Sequence, residues 1–142
     1  MTDTNTPADL RRILTMARTI AVVGLSPKSE RPSHGVAAFL QAKGHRIIPV
    51  NPGHAGQVIL GETVYASLSD IPPDVTVDMI DIFRTPDAVP GIVDEAIAVL
   101  PRLRSVWMQL GVSHHEAAVR AMDAGLDVVQ DRCPKIEYPR VM

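Results

Sequence analysis

Short, nearly continuous apolar runs at residues 19–24, 46–50, 77–83, 105–110 and 126–130 alternate with longer segments whose apolar residues recur every three or four positions. Unbroken apolar character marks strands buried on both faces of a parallel sheet, and the longer period marks helices laid against it. The helical segments are 7–18, with Leu10, Ile13, Leu14 and Ala17 on one face, then 33–43, 86–100 and 113–124. Thr6 before Pro7 and Asp9 reads as a helix start, Ser33 as the cap of the second helix, and Gly44 and Gly125 as stops. In the second helix Val36, Ala37, Phe39 and Leu40 point inward. Strands alternating with helices predict an α/β fold of the doubly wound, Rossmann-like kind, with a mostly parallel sheet of about five strands and helices on both faces. Residues 54–74 are less regular and predict a small extra strand near 63–65 and a turn or short helix before Pro72-Pro73. The alternating Asp78 and Asp81 predict one less covered face on the third strand. Three apart on a strand, they point to opposite sides and form no shared acid/base site.

Composition narrows the function classes. A length of 142 residues fits one domain, 1–142, and 46% hydrophobic against 21% charged residues suits a chain with a proper core. Aromatics at 4% make that core aliphatic. A net charge of −2 argues against a basic nucleic-acid face. With Cys133 as the one cysteine, a disulfide within the chain is impossible, and a reducing cytoplasmic setting is the expectation. The polar first six residues are no signal peptide, and no apolar stretch reaches the roughly 18 residues that span a bilayer. A soluble protein with no membrane role follows.

In an open parallel sheet, ligands bind beyond the carboxyl ends of the strands. The first such end is the richest. Gly24 leads into a polar loop and then a helix start at Ser33-His34-Gly35. Free backbone amides and the positive helix end favour an anion there, by roughly 0.3–1 kcal/mol per charge from the dipole alone. Lys28 and Arg31 add cations, Ser26 and Ser33 add hydroxyls, and Gly35 lets a ligand approach the backbone. Neither G-x-G-x-x-G nor the P-loop signature is present, and the second strand ends in Asn51-Pro52 where a dinucleotide site wants an acid.

Residues 20–138 resemble the coenzyme A-binding proteins related to the N-terminal domain of the succinyl-CoA ligase α subunit. The resemblance is carried by Val23-Gly24-Leu25-Ser26, Arg31-Pro32-Ser33-His34-Gly35-Val36-Ala37, Pro49-Val50-Asn51-Pro52, Trp107-Met108-Gln109-Leu110-Gly111-Val112 and Asp131-Arg132-Cys133-Pro134. It implies that the loop from Gly24 to Gly35 wraps pantetheine and pyrophosphate, and that Asn51-Pro52 lies against the adenosine. It places His54 where the ligase has a phosphate-binding lysine, so Lys28 or Arg31 supplies that charge. Phe83-Arg84-Thr85-Pro86 resembles the segment bracketing adenine and ribose, while Gln109, Gly111, Arg132 and Cys133 fall nearer the pantetheine arm. The ligase's second domain, with its phosphorylated histidine, has no counterpart in this sequence.

The first expectation is therefore a protein that binds coenzyme A or an acyl-CoA as carrier, sensor or buffer, without its own catalysis. A small acyl-CoA- or nucleotide-linked enzyme using Cys133 or His34 is the second, and a ligand-controlled interaction module the third. The sequence leaves open a homo-oligomer or a protein partner. His114-His115, adjacent on a helix, point about 100° apart and do not chelate one ion. Cys133 near a thiol arm suggests a mixed disulfide with coenzyme A under oxidation.

Overall fold

The computed structural model describes residues 5–142, so the polar stretch 1–4 lies outside the described residues. Five parallel strands form the main sheet: β1 (Thr19–Val23), β2 (Arg46–Val50), β5 (Met79–Ile82), β6 (Ser105–Met108) and β7 (Asp127–Val129), in the order β2-β1-β5-β6-β7. A two-stranded antiparallel hairpin, β3 (Val58–Ile59) with β4 (Glu62–Thr63), interrupts the return from β2 to β5. The helices are α1 (Pro7–Met16), α2 (Pro32–Ala42), α3 (Val89–Val99), α4 (His115–Asp123) and α5 (Pro134–Val141).

Each face of the sheet has its own aliphatic core, as continuous apolar strands require. Ala21, Ile48, Ile80, Ile82, Val106 and Val128 meet Val93 and Ala96 of α3 and Ala117 and Ala121 of α4. On the other face Ile20, Val22, Ile47, Met79 and Trp107 meet Leu10 and Leu14 of α1 and Val36 and Leu40 of α2. Side chains such as Leu14 and Ile20 are fully buried, worth about 1.5–3 kcal/mol each. The Thr6 hydroxyl accepts the Asp9 N–H while Asp9 accepts the Thr6 N–H, so α1 begins with a reciprocal capping box. Among the described residues no helix is long and apolar enough to cross a membrane.

Two expectations change, and one element is added. Ser33 is not the cap of α2: Pro32 takes the first helical position, Arg31 becomes the cap, and the Ser33 hydroxyl accepts the Ser26 N–H. The third strand has no open face, because Asp81 sits at 0% exposure between its register partners Val22 and Trp107. Asp78 lies just before that strand and accepts the N–H groups of Arg18 and Thr19. A fifth helix follows the last strand, with Pro139 inside it. It packs Tyr138 against Phe39, and the Tyr138 hydroxyl lies 3.0 Å from His45 Nε2.

Candidate functional site

The strand order reverses at β1, where the chain steps out to β2 and returns on the other side as β5, so the crevice expected for a ligand opens between β1 and β5. The ladder runs one residue past the strands: Gly24 N–H donates to Val50, Phe83 N–H to Val23, and Gln109 N–H to Ile82. These bonds set Gly24, Phe83 and Gln109 side by side at the strand tips. Gly24 is obligatory there. Its φ is +89°, and a Cβ would stand 2.3 Å from the Phe83 carbonyl oxygen.

A cleft covers these tips in two connected parts that share Arg31, Pro32 and Phe83. The first, about 480 Å³, is lined by Gly24, Ser26, Lys28, Ser33 and His54 besides the shared residues. The second, about 990 Å³, adds among others Glu30, Gly35, Val36, Arg84, Gln109, Leu110, Gly111, Val112, Cys133, Lys135 and Ile136. Its volume lies at the upper end of the roughly 300–1,000 Å³ typical of sites for small organic ligands.

The site has three properties suited to an elongated anion with an apolar end. Lys28, Arg31, Arg84 and Lys135 line it, and none has a carboxylate within ion-pair distance among the described residues. Leu110 at 53% and Ile136 at 43% exposure offer apolar surface to the second part. Finally, two buried polar atoms of lining residues, His54 Nδ1 and Gln109 Oε1, have no hydrogen-bond partner among the described residues. An unpaired buried polar atom costs about 1–3 kcal/mol, which a bound ligand relieves by pairing with it. Gly35 leaves the room such a ligand needs, since nothing stands within 4 Å of the Cβ it lacks.

The amides of α2 offer less than the sequence suggests. His34 and Gly35 N–H both donate to the Arg31 carbonyl, at 3.1 and 3.2 Å, because the first turn closes on its own cap. Ser33 keeps its N–H outside these bonds. Four sequence-derived candidates do not line the cleft: His34, Asn51, Pro52 and Arg132. Asn51 braces the loops instead, its Nδ2 donating to the Leu25 carbonyl and its Oδ1 accepting from Gly53. Arg132 pairs with Glu137 at 3.4 Å, and its carbonyl accepts the Trp107 indole N–H. His114 caps α4, its Nδ1 accepting the Ala117 N–H, and no group of metal-ligating side chains occurs among the described residues.

Lys135 and Ile136 are lining residues that sequence reasoning missed. They belong to α5, whose start is signalled by Pro134 after Cys133 but whose pattern Pro139 interrupts.

One titratable group lies a layer beneath. Asp81 precedes Phe83 by two residues, so it sits below the cleft floor on the side facing Trp107. Both its oxygens are buried and without a partner among the described residues, and burial pushes its carboxyl well above the usual carboxylate range.

Comparison with known proteins agrees with this architecture. Residues 18–139 match the sequence model of a family described as CoA binding domain. The uncharacterized protein YneT of Bacillus subtilis (strain 168) is 34% identical over 131 residues, covering 92% of this chain and 93% of that protein. A solved structure from Thermus thermophilus, cell-free ID.343, is similar with a TM-score of 0.89 at 38% identity, over 97% of this chain and all of that one. The dinucleotide-forming acetyl-coenzyme A synthetase 1 of Ca. Korarchaeum cryptofilum shares the fold, with a TM-score of 0.65 at 24% identity. That match covers 84% of this chain and 27% of the synthetase chain.

Proposed function

The chain belongs to the CoA binding domain family, and on that premise we propose that the cleft over the strand tips holds coenzyme A or an acyl-CoA, as a carrier, sensor or buffer. The observation that carries the reading is the unpaired polarity of the cleft at the switch point of the sheet: four cations against one acid, Glu30, with none of the four in an ion pair, and two buried polar atoms without partners among the described residues. Lys28 and Arg31 meet phosphate oxygens, with the Ser26 hydroxyl beside them. His54 Nδ1 supplies a further phosphate contact in the place that resembles the ligase lysine. Phe83 frames the adenosine, and the part of the cleft around Gln109, Leu110 and Ile136 takes the amide-bearing arm.

Calorimetric titration tests this with coenzyme A, dephospho-coenzyme A, ATP and NAD. Coenzyme A binds tightest, and Arg31→Ala weakens it by about tenfold, the effect of losing one charge-assisted contact of roughly 1.4 kcal/mol. Affinity for NAD equal to that for coenzyme A overturns the assignment. The carrier reading separates from an enzyme by acyl-CoA turnover: hydrolysis or transfer that vanishes in Cys133→Ala favours the enzyme, and binding without turnover favours the carrier.

A further inference from the structure

The two parts of the cleft differ in their apolar content. The part around Gly24 presents Ser26, Lys28 and His54. The far part carries Arg84 and Lys135 at its walls, but it also holds the apolar Leu110, Val112 and Ile136 beside Cys133 and the buried Gln109. On the coenzyme A reading, phosphates go to Lys28 and Arg31, and the thiol-tipped arm runs along the apolar side chains toward Cys133.

Cys133 is a free thiol at 6% exposure, and it lines this cleft. A cysteine alone says little. Independent support comes from Gln109, also in the lining, 7% exposed, with Oε1 unpartnered. That buried acceptor calls for an N–H donor from a bound molecule, and an amide-bearing arm carries one. The arm that pairs with Gln109 brings its terminal sulfur into the part of the cleft where Cys133 sits.

We propose that Cys133 is a thiol–disulfide exchange site that the ligand cleft makes selective for disulfides of the bound thiol; this rests on the coenzyme A reading of the cleft. The reactant is the symmetrical disulfide of the ligand thiol. Cys133 loses its proton to solvent, and its sulfur attacks one sulfur of that disulfide. The ligand S–S bond breaks as the Cys133–ligand S–S bond forms, and the released ligand thiolate takes up a proton from solvent. One disulfide replaces another, so no further oxidant enters. Selectivity follows from burial: a disulfide that fits the cleft reaches the sulfur, and one that does not fit is shut out. The product is a reversible, covalently held ligand that a free thiol releases.

Intact-mass time courses on the full chain test this with coenzyme A disulfide and glutathione disulfide at equal concentration, alongside calorimetric binding of coenzyme A. The expected result is a single adduct, mapped to Cys133 in the wild-type protein, that grows at least about tenfold faster with coenzyme A disulfide. Cys133→Ser shows no adduct, and Gly35→Leu, which fills the open space beside α2, brings the rate down to that of glutathione disulfide. Equal rates for the two disulfides, or no adduct, in a protein that binds coenzyme A overturn the exchange site and leave the binding reading standing. Absence of coenzyme A binding removes both.

Discussion

The two ends of the sheet treat their polar groups differently. At the amino end Asp78 accepts two backbone N–H groups, Arg12 pairs with Asp127 at 2.6 Å, and Arg46 with Glu62 at 2.8 Å. Arg18, Arg102 and Arg104 stand outside ion pairs there among the described residues, so the contrast lies in the buried polar atoms rather than in the cations. At the carboxyl end Lys28, Arg31, Arg84 and Lys135 form no ion pair among the described residues, and His54 and Gln109 keep buried atoms unpaired. The amino end meets its carboxylates with the chain's own groups; the carboxyl end leaves buried polar atoms open, where the proposed ligand would pair with them. A fold tolerates unsatisfied groups where a ligand is to complete them, and gives up some stability of the empty state.

That contrast can be broken most forcefully at Gly24. Gly24→Ala puts an L side chain at φ +89° against the Phe83 carbonyl, and should cost about 2–3 kcal/mol of stability, read from the urea midpoint. Asp81→Val should act in the opposite direction. Removing the orphaned carboxyl stabilises the fold by an amount on the order of 1–3 kcal/mol. Because burial raises the folded-state value of Asp81, folding takes up a proton at this site. Its contribution is most favourable below about pH 4, where the unfolded carboxyl is also protonated, and declines as pH rises through the folded value. Urea unfolding across pH 4–8 should therefore show a shallower fall in stability for Asp81→Val than for the wild type.

Smaller effects separate the ends from each other. Gly35→Ala should raise stability by about 0.5–1 kcal/mol through helix propensity, while weakening coenzyme A binding in calorimetry because its Cβ enters the open cleft. Gain in stability with loss of binding is the signature of a residue kept small for a ligand. Asp127→Ala at the amino end breaks an exposed pair with Arg12 and should cost only about 0.2–1 kcal/mol, with binding unchanged.

Much of the architecture was legible because parallel strands leave a plain trace. β1 and β2 stand where their apolar runs predict, within a residue. The helix start at Thr6-Pro7, with Asp9 in its first turn, was readable from local capping chemistry, and the structure adds that Thr6 and Asp9 cap each other reciprocally. What failed were features decided by competition or by distant partners. Pro32 claimed the first helical position and moved the cap from Ser33 to Arg31. Asp81 looked like a solvent-facing polar residue, yet it is enclosed by Val22 and Trp107, neighbours that only the sheet register brings together. Pro139 hid α5, and with it Lys135 and Ile136 at the cleft. Strand ends could be named from sequence; which side chains converge there depended on loop conformation, as the departure of Asn51 and Arg132 to bracing roles shows.

Amide chemical-shift mapping during a titration with coenzyme A tests the assignment of the two ends most directly. Saturating shifts at residues 24–35, 83–86, 109–112 and 133–136, with Asp78, Arg104 and Asp127 undisturbed, are the predicted outcome. Shifts centred on the amino end, or none at any concentration, contradict it.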